Sequence, residues 1–219
     1  MKSENKRVYR FGDGQADATG SDSDLKALLG GKGLGLAQMS RLGIPVPPGL
    51  IITTDVCRHF MHHDGALPDG IDGEVRAAVA WIGEKVGATF ADSSRPLLVS
   101  VRSGARVSMP GMMDTVLNLG LNDAAVETLA KSSGNPRFAY DAYRRFVQMY
   151  GDVVLGMKPE KKTDIDPFEE ILEKKKHAAK VELDSDLSVA QLKELVAEFK
   201  AAVKAKTGKD FPTDRKSVV

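Results

Sequence analysis

The 219-residue sequence holds one cysteine, Cys57, and one tryptophan, Trp81. A lone thiol excludes an intrachain disulfide framework and fits a reducing compartment. Cys57 reads as a half-buried thiol on a helix, not a nucleophile. Charge of one sign is missing too: 31 Lys and Arg face 30 Asp and Glu, a formal net charge of +1, so nothing calls for nucleic acid or an anionic membrane surface. No apolar run approaches the ~20 residues that span a bilayer, and the opening MKSENKRVYR lacks the apolar stretch of a signal peptide. These absences point to a soluble, cytoplasmic protein. The grouping of Cys57, His59, His62 and His63 falls within about one and a half helical turns, with His62 and His63 adjacent and divergent, so no metal site is expected.

What is present centres on Leu98–Asp123, LVSVRSGARVSMPGMMDTVLNLGLND. It opens as a β-branched strand that delivers Arg102 and then Arg106 into a segment of small residues, among them Ser103, Gly104, Ser108, Pro110 and Gly111. Guanidiniums beside free amides and hydroxyls suit a polyanion such as phosphate, although Gly, Ser and Pro clusters more often mark plain turns. A second segment strengthens the phosphate reading. Gly30, Gly31, Lys32 and Gly33 precede Leu36, Met39 and Leu42 at helical spacing, so a glycine-rich turn is expected to feed a helix N-terminus beside Lys32. It is not a P-loop, because Gly33 stands where Ser or Thr is required, and the spacing of Gly31, Gly33 and Gly35 does not match the dinucleotide fingerprint.

Strands are expected at Val8–Phe11, Gly49–Thr54 and Leu97–Val101, with helices from Thr54 or Asp55 to His62 and along the Val75, Val79, Ile82, Val86 face, Trp81 packing beside it. Beyond Asn122 only helices are expected. Asp123 caps the first, and Pro136 opens the second, with Phe138, Ala142, Phe146 and Met149 inward and Arg137, Arg144 and Arg145 on a solvated face. Phe168, Ile171 and Leu172 begin a third, and a Ser188–Gln191 capping box starts the fourth, which Gly208 ends. The pattern gives a mixed α/β (α+β) class with a boundary near residue 121, separating a phosphate-binding α/β subdomain (1–121) from a helical one (122–219).

Four motifs together carry a resemblance: LLGGKGLGLAQM (Leu28–Met39), GIPVPPGLIITT (Gly43–Thr54), SVRSGARVSMPGMMDTVLNLGLND (Ser100–Asp123) and GNPRFAYDAYRRFVQMYGDVV (Gly134–Val154). The sequence resembles the nucleotide-binding domain of pyruvate, phosphate dikinase across roughly residues 7–212. The resemblance implies an ATP-grasp-like fold and a phosphotransferase that converts ATP, phosphate and pyruvate to AMP, diphosphate and phosphoenolpyruvate through a phosphohistidine. It implies that Lys32 and Arg102 are the catalytic phosphate-binding cations. The loop at Gly111 would cover the phosphates, and Arg106, Ser108 and Thr115 would be further contacts. ATP would bring Mg2+ with it, no protein metal ligand lying in this chain. The phosphohistidine and pyruvate-binding domains would be partners in a longer, homo-oligomeric enzyme. After Phe211–Pro212 the ending TDRKSVV departs from the family pattern, which reads as truncation, with little activity expected of this chain alone. Phosphoenolpyruvate synthases and water dikinases share the first two motifs, but the SGARVSMPGMMDT continuation argues against them. A non-catalytic nucleotide-binding module is the remaining alternative.

Overall fold

The computed structural model describes residues 6–90, 92–104, 114–159 and 165–212. They form two compact units. The first holds the described residues up to Thr89 together with Ser103 and Gly104, and the second holds the described part of Phe90–Arg102 and the residues from Asp114 onward. The mixed α/β class of the sequence is found.

In the first unit, β1 (Val8–Gly12) turns through Asp13 and Gly14 into β2 (Gln15–Ala16). Both turn residues have positive φ, 56° and 72°, the requirement of a tight hairpin with an Asp-Gly tip. On its other edge β1 pairs antiparallel with β3 (Gly49–Ile52), giving the order β2-β1-β3. Strand alternation divides the core between two faces. Tyr9 and Ile51 pack with Leu25, Leu29 and Ala37 of α1 (Asp22–Arg41), while Val8 and Leu50 pack with Val56 of α2 (Thr54–His62) and Ile71 and Ala78 of α3 (Ile71–Val86). A helix–sheet–helix sandwich results. Gly49 faces Phe11 in the register, where a Cβ would lie 2.2 Å from the ring. Arg7, just before β1, ties it to α3 through three bonds to Glu74, one from its amide and two from its guanidinium.

Two expectations change in this unit. Helix α1 begins at Asp22, capped by Ser21, so Leu25–Leu29 are already helical; the glycine-rich segment interrupts the helix at Gly30 (φ 72°, ψ 170°) and restarts it. Cys57 is exposed, because α2 turns Val56 toward the core and its neighbour outward.

The chain leaves the first unit along β4 (Thr89–Phe90). In the second unit, β5 (Pro96–Leu97) pairs with β4, and β6 (Val99–Arg102) pairs antiparallel with β7 (Thr115–Leu119). Four helices follow: α4 (Asp123–Ser133), α5 (Pro136–Val153), α6 (Pro167–Ala179) and α7 (Val189–Thr207). The last has the expected capping box and ends at left-handed Gly208. Phe146 and Val147 of α5, Phe168 of α6 and Leu192, Leu195 and Phe199 of α7 are fully buried, with Phe168 edge-on to Phe199 at 4.9 Å. The compact units do not follow the boundary at residue 121: Val116 and Leu121 lie in the helical core, so the strands before it belong with the helices.

Three local expectations are corrected here. Asn122, not Asp123, caps α4, its side chain accepting from the amides of Ala124 and Ala125, which leaves Asp123 to accept from Tyr143 and Lys200. Phe138 is 51% exposed; the inward stripe runs instead through Ala139, Tyr143, Phe146, Val147 and Tyr150, the set that faces α7 and α4. Arg144 is not solvated but 2% exposed, bonded to Asp141 and Asp184 at 2.8 and 3.2 Å.

Gly49→Ala forces a methyl into the Phe11 ring and is expected to cost about 1–3 kcal/mol, read as a lowered thermal midpoint by circular dichroism. Burial, with Asp166 and Glu169 adding and Lys158 opposing, pushes the Asp152 carboxyl up to about 6, and its Oδ1 is buried without a partner among the described residues. The folded chain therefore holds this proton more tightly than the unfolded one. The resulting stability is complete below about pH 4 and is lost as pH rises through 6. Asp152→Asn should be more stable than the parent at pH 7 by roughly 1 kcal/mol after solvent screening, and the difference should vanish in denaturant titrations at pH 4.

Candidate functional site

The break at Gly30 decides how Lys32 is presented. A residue at φ 72° and ψ 170° is costly for any side chain, and beyond it the helix restarts with Lys32 in its new first turn. Of the neighbouring glycines, Gly33 is packed: an added Cβ would lie 2.9 Å from Leu29 and 3.2 Å from Ile51. Among the described residues, Gly31 and Gly35 would meet nothing within 4 Å. One flank of the restarted helix is thus open down to the backbone. Lys32 is exposed, and its Nζ donates to the carbonyl of Ser103 at 3.4 Å. Ser103 is the residue that follows Arg102.

Arg102 is the last residue of β6 and is exposed. Its cross-strand partner is Thr115, the first residue of β7, so the fold brings these two together on one face of the hairpin end. Farther down, the pairing passes from Val99↔Leu119 to Val101↔Val116. Ser100 therefore opposes two residues, Leu117 and Asn118, in a β-bulge, and Asn118 is left-handed at φ 59°. Arg106, Ser108 and Gly111 lie outside the described residues.

Among the described residues no carboxylate pairs with Lys32 or Arg102, whereas most other basic residues of the sheet and helix faces are engaged. Arg10 and Lys85, for example, both lie over Trp81 and pair with Asp17 and Asp13. An exposed cation with no counter-charge among the described residues can accept an anion at little cost. No group of three or more His, Cys, Asp or Glu among the described residues is placed to hold a metal ion. His59 and His63 stack at 3.8 Å, with a ring nitrogen of His63 on the His59 carbonyl. No helix among the described residues is long and apolar enough to cross a membrane. Two features escaped the sequence reading. The signal for Gly30 was the adjacent glycine pair within a helical leucine pattern; for Asn118 it was an Asn inside an otherwise apolar alternation.

The family of the pyruvate phosphate dikinase AMP/ATP-binding domain matches residues 26–77, the segment that contains Lys32. The chain is 47% identical over 209 residues to the pyruvate, phosphate dikinase of Rhizobium meliloti (strain 1021), a match covering 95% of this chain and 22% of that protein. It is 49% identical to the chloroplastic pyruvate, phosphate dikinase 1 of Arabidopsis thaliana, over 96% of this chain and 21% of the relative. To the Clostridium symbiosum enzyme it is 47% identical, over 96% and 23%. The chain thus spans about a fifth of the length of these relatives. Across nearly all of its own length, the chain is thus similar to one part of pyruvate, phosphate dikinases.

Proposed function

We propose that this chain supplies part of the ATP site of a pyruvate, phosphate dikinase, with Lys32 in the first unit and Arg102 in the second each acting as a phosphate-binding cation. The observation that carries this reading is the near-50% identity over 95% of the chain, which includes the segments bearing both residues. The exposed position of both cations, the lack of a carboxylate on either among the described residues and the open flank at Gly31 and Gly35 support it.

Phosphoryl transfer asks a protein mainly to position the phosphates and to neutralise charge that develops on their oxygens. Arg102 suits this through its forked guanidinium, and Lys32 as a mobile point charge. Thr115, opposite Arg102, offers a hydroxyl on the same face. Arg106, Ser108 and the loop at Gly111 complete the reading as contacts and cover. The overall reaction would join ATP, phosphate and pyruvate to AMP, diphosphate and phosphoenolpyruvate. The phosphorylated histidine, the acidic Mg2+ ligands and the pyruvate site would belong to other parts of the enzyme. Mg2+ would come with ATP, consistent with its preference for phosphate oxygens and few protein carboxylates. An ATP-grasp-like arrangement of the nucleotide site is part of the same proposal.

Calorimetric titration of Mg-ATP into the 219-residue chain tests this. Lys32→Met and Arg102→Ala should each weaken binding at least tenfold, the loss of one charge-assisted hydrogen bond of roughly 1.5–3 kcal/mol. Unchanged affinity in both variants would refute the assignment, and equal affinity without Arg102 alone would favour a non-catalytic nucleotide-binding module.

A further inference from the structure

The bulge in the β6–β7 hairpin has a consequence for the reading above, on which this inference rests. Val99 and Val101 lie on one face of β6, so their partners Leu119 and Val116 share that face. These two are three residues apart and in an unbroken strand would point to opposite sides. Both are claimed by the helical core: Val116 is buried in it, and Leu119 packs against it. The extra residue at Leu117–Asn118 makes this possible. It also fixes what stands opposite Arg102. With the base held at Val99↔Leu119 and no bulge, Val101 would face Leu117 and Arg102 would face Val116; an apolar residue would then replace Thr115 beside the guanidinium, and the core would lose Val116.

This bulge is built with a left-handed residue, Asn118 at φ 59°. Asn tolerates this conformation far better than a β-branched residue does. Its carbonyl also accepts from the Leu121 amide at 3.1 Å, joining the bulge to the turn at Gly120. There φ is 109°, and a Cβ would lie 2.6 Å from the Leu97 carbonyl oxygen. The base of the hairpin is therefore fixed on both sides of the bulge.

We propose that Asn118 is a positioning residue for phosphate binding: by holding the bulge it sets the register that places the Thr115 hydroxyl opposite Arg102. Asn118 touches no phosphate itself and acts through that pair.

The test compares Mg-ATP affinity of the parent chain with Asn118→Gly, Asn118→Val and Asn118→Val combined with Arg102→Ala, each checked for folding by circular dichroism. Glycine keeps the left-handed backbone available, so Asn118→Gly should bind within about twofold of the parent. Asn118→Val should bind about tenfold more weakly while remaining folded, and should add no further loss once Arg102 is already Ala. If the Val variant does not fold, Asn118→Ala, with a smaller penalty in the left-handed region, is measured in its place. A folded Val or Ala variant with parental affinity overturns the inference, as does a loss of equal size in the Arg102→Ala background. A parent chain that binds no Mg-ATP removes the nucleotide reading itself, an outcome distinct from the other two.

Discussion

The β6–β7 hairpin must bury Val116 and Leu119 against the helical core while ending in the polar pair Arg102 and Thr115. A regular two-residue period cannot meet both demands in this sequence, and the bulge at Leu117–Asn118 reconciles them. The four helices depend on the same seam. Leu121, just beyond the hairpin, is 2% exposed and belongs to the core that α4, α5, α6 and α7 share. A shift of β7 by one residue would therefore disturb the packing of the helices and the hairpin end together.

Charge in the second unit is largely devoted to holding those helices in place. Lys193 lies over the Tyr140 ring and pairs with Glu127, which also accepts from the Tyr140 hydroxyl; Lys200 does the same with Tyr143 and Asp123. Two lysines of α7, seven residues apart, thus grip two tyrosines of α5 and two carboxylates of α4. Burial pushes the Tyr143 phenol well above its ordinary range, with Asp123 adding to the effect, so it stays a neutral donor at any physiological pH. Arg144 is engaged in the same manner, between Asp141 and Asp184. Basic residues used in this way do not form a free anion-binding surface.

The first unit manages its backbone with glycine. Gly49 admits the Phe11 ring to the sheet, Gly33 lets the restarted half of α1 close on Ile51, and Gly30 breaks the helix. Gly31 and Gly35 meet no neighbour within 4 Å among the described residues.

Much of this was legible in the chain itself. Val8–Phe11 and Gly49–Ile52 announced their strands by β-branched and aromatic content, and Ser188, Gln191, Pro136 and Gly208 marked helix ends, because caps and turn residues act over three or four positions. The motifs around Lys32 and Arg102 pointed to the family before any fold was known. Other features depended on contacts distant in sequence. Whether Arg144 is solvated or buried is decided by Asp184, forty residues away, and the inward face of α5 is chosen by α4 and α7 rather than by its own periodicity. Whether the β-strands before residue 121 belong with the sheet or with the helices is decided by where Val116 and Leu121 find their neighbours. Local sequence determines backbone preference and chemical type; register, burial and the pairing of Thr115 with Arg102 come from tertiary structure, because each depends on which of several possible partners the folded chain brings within reach.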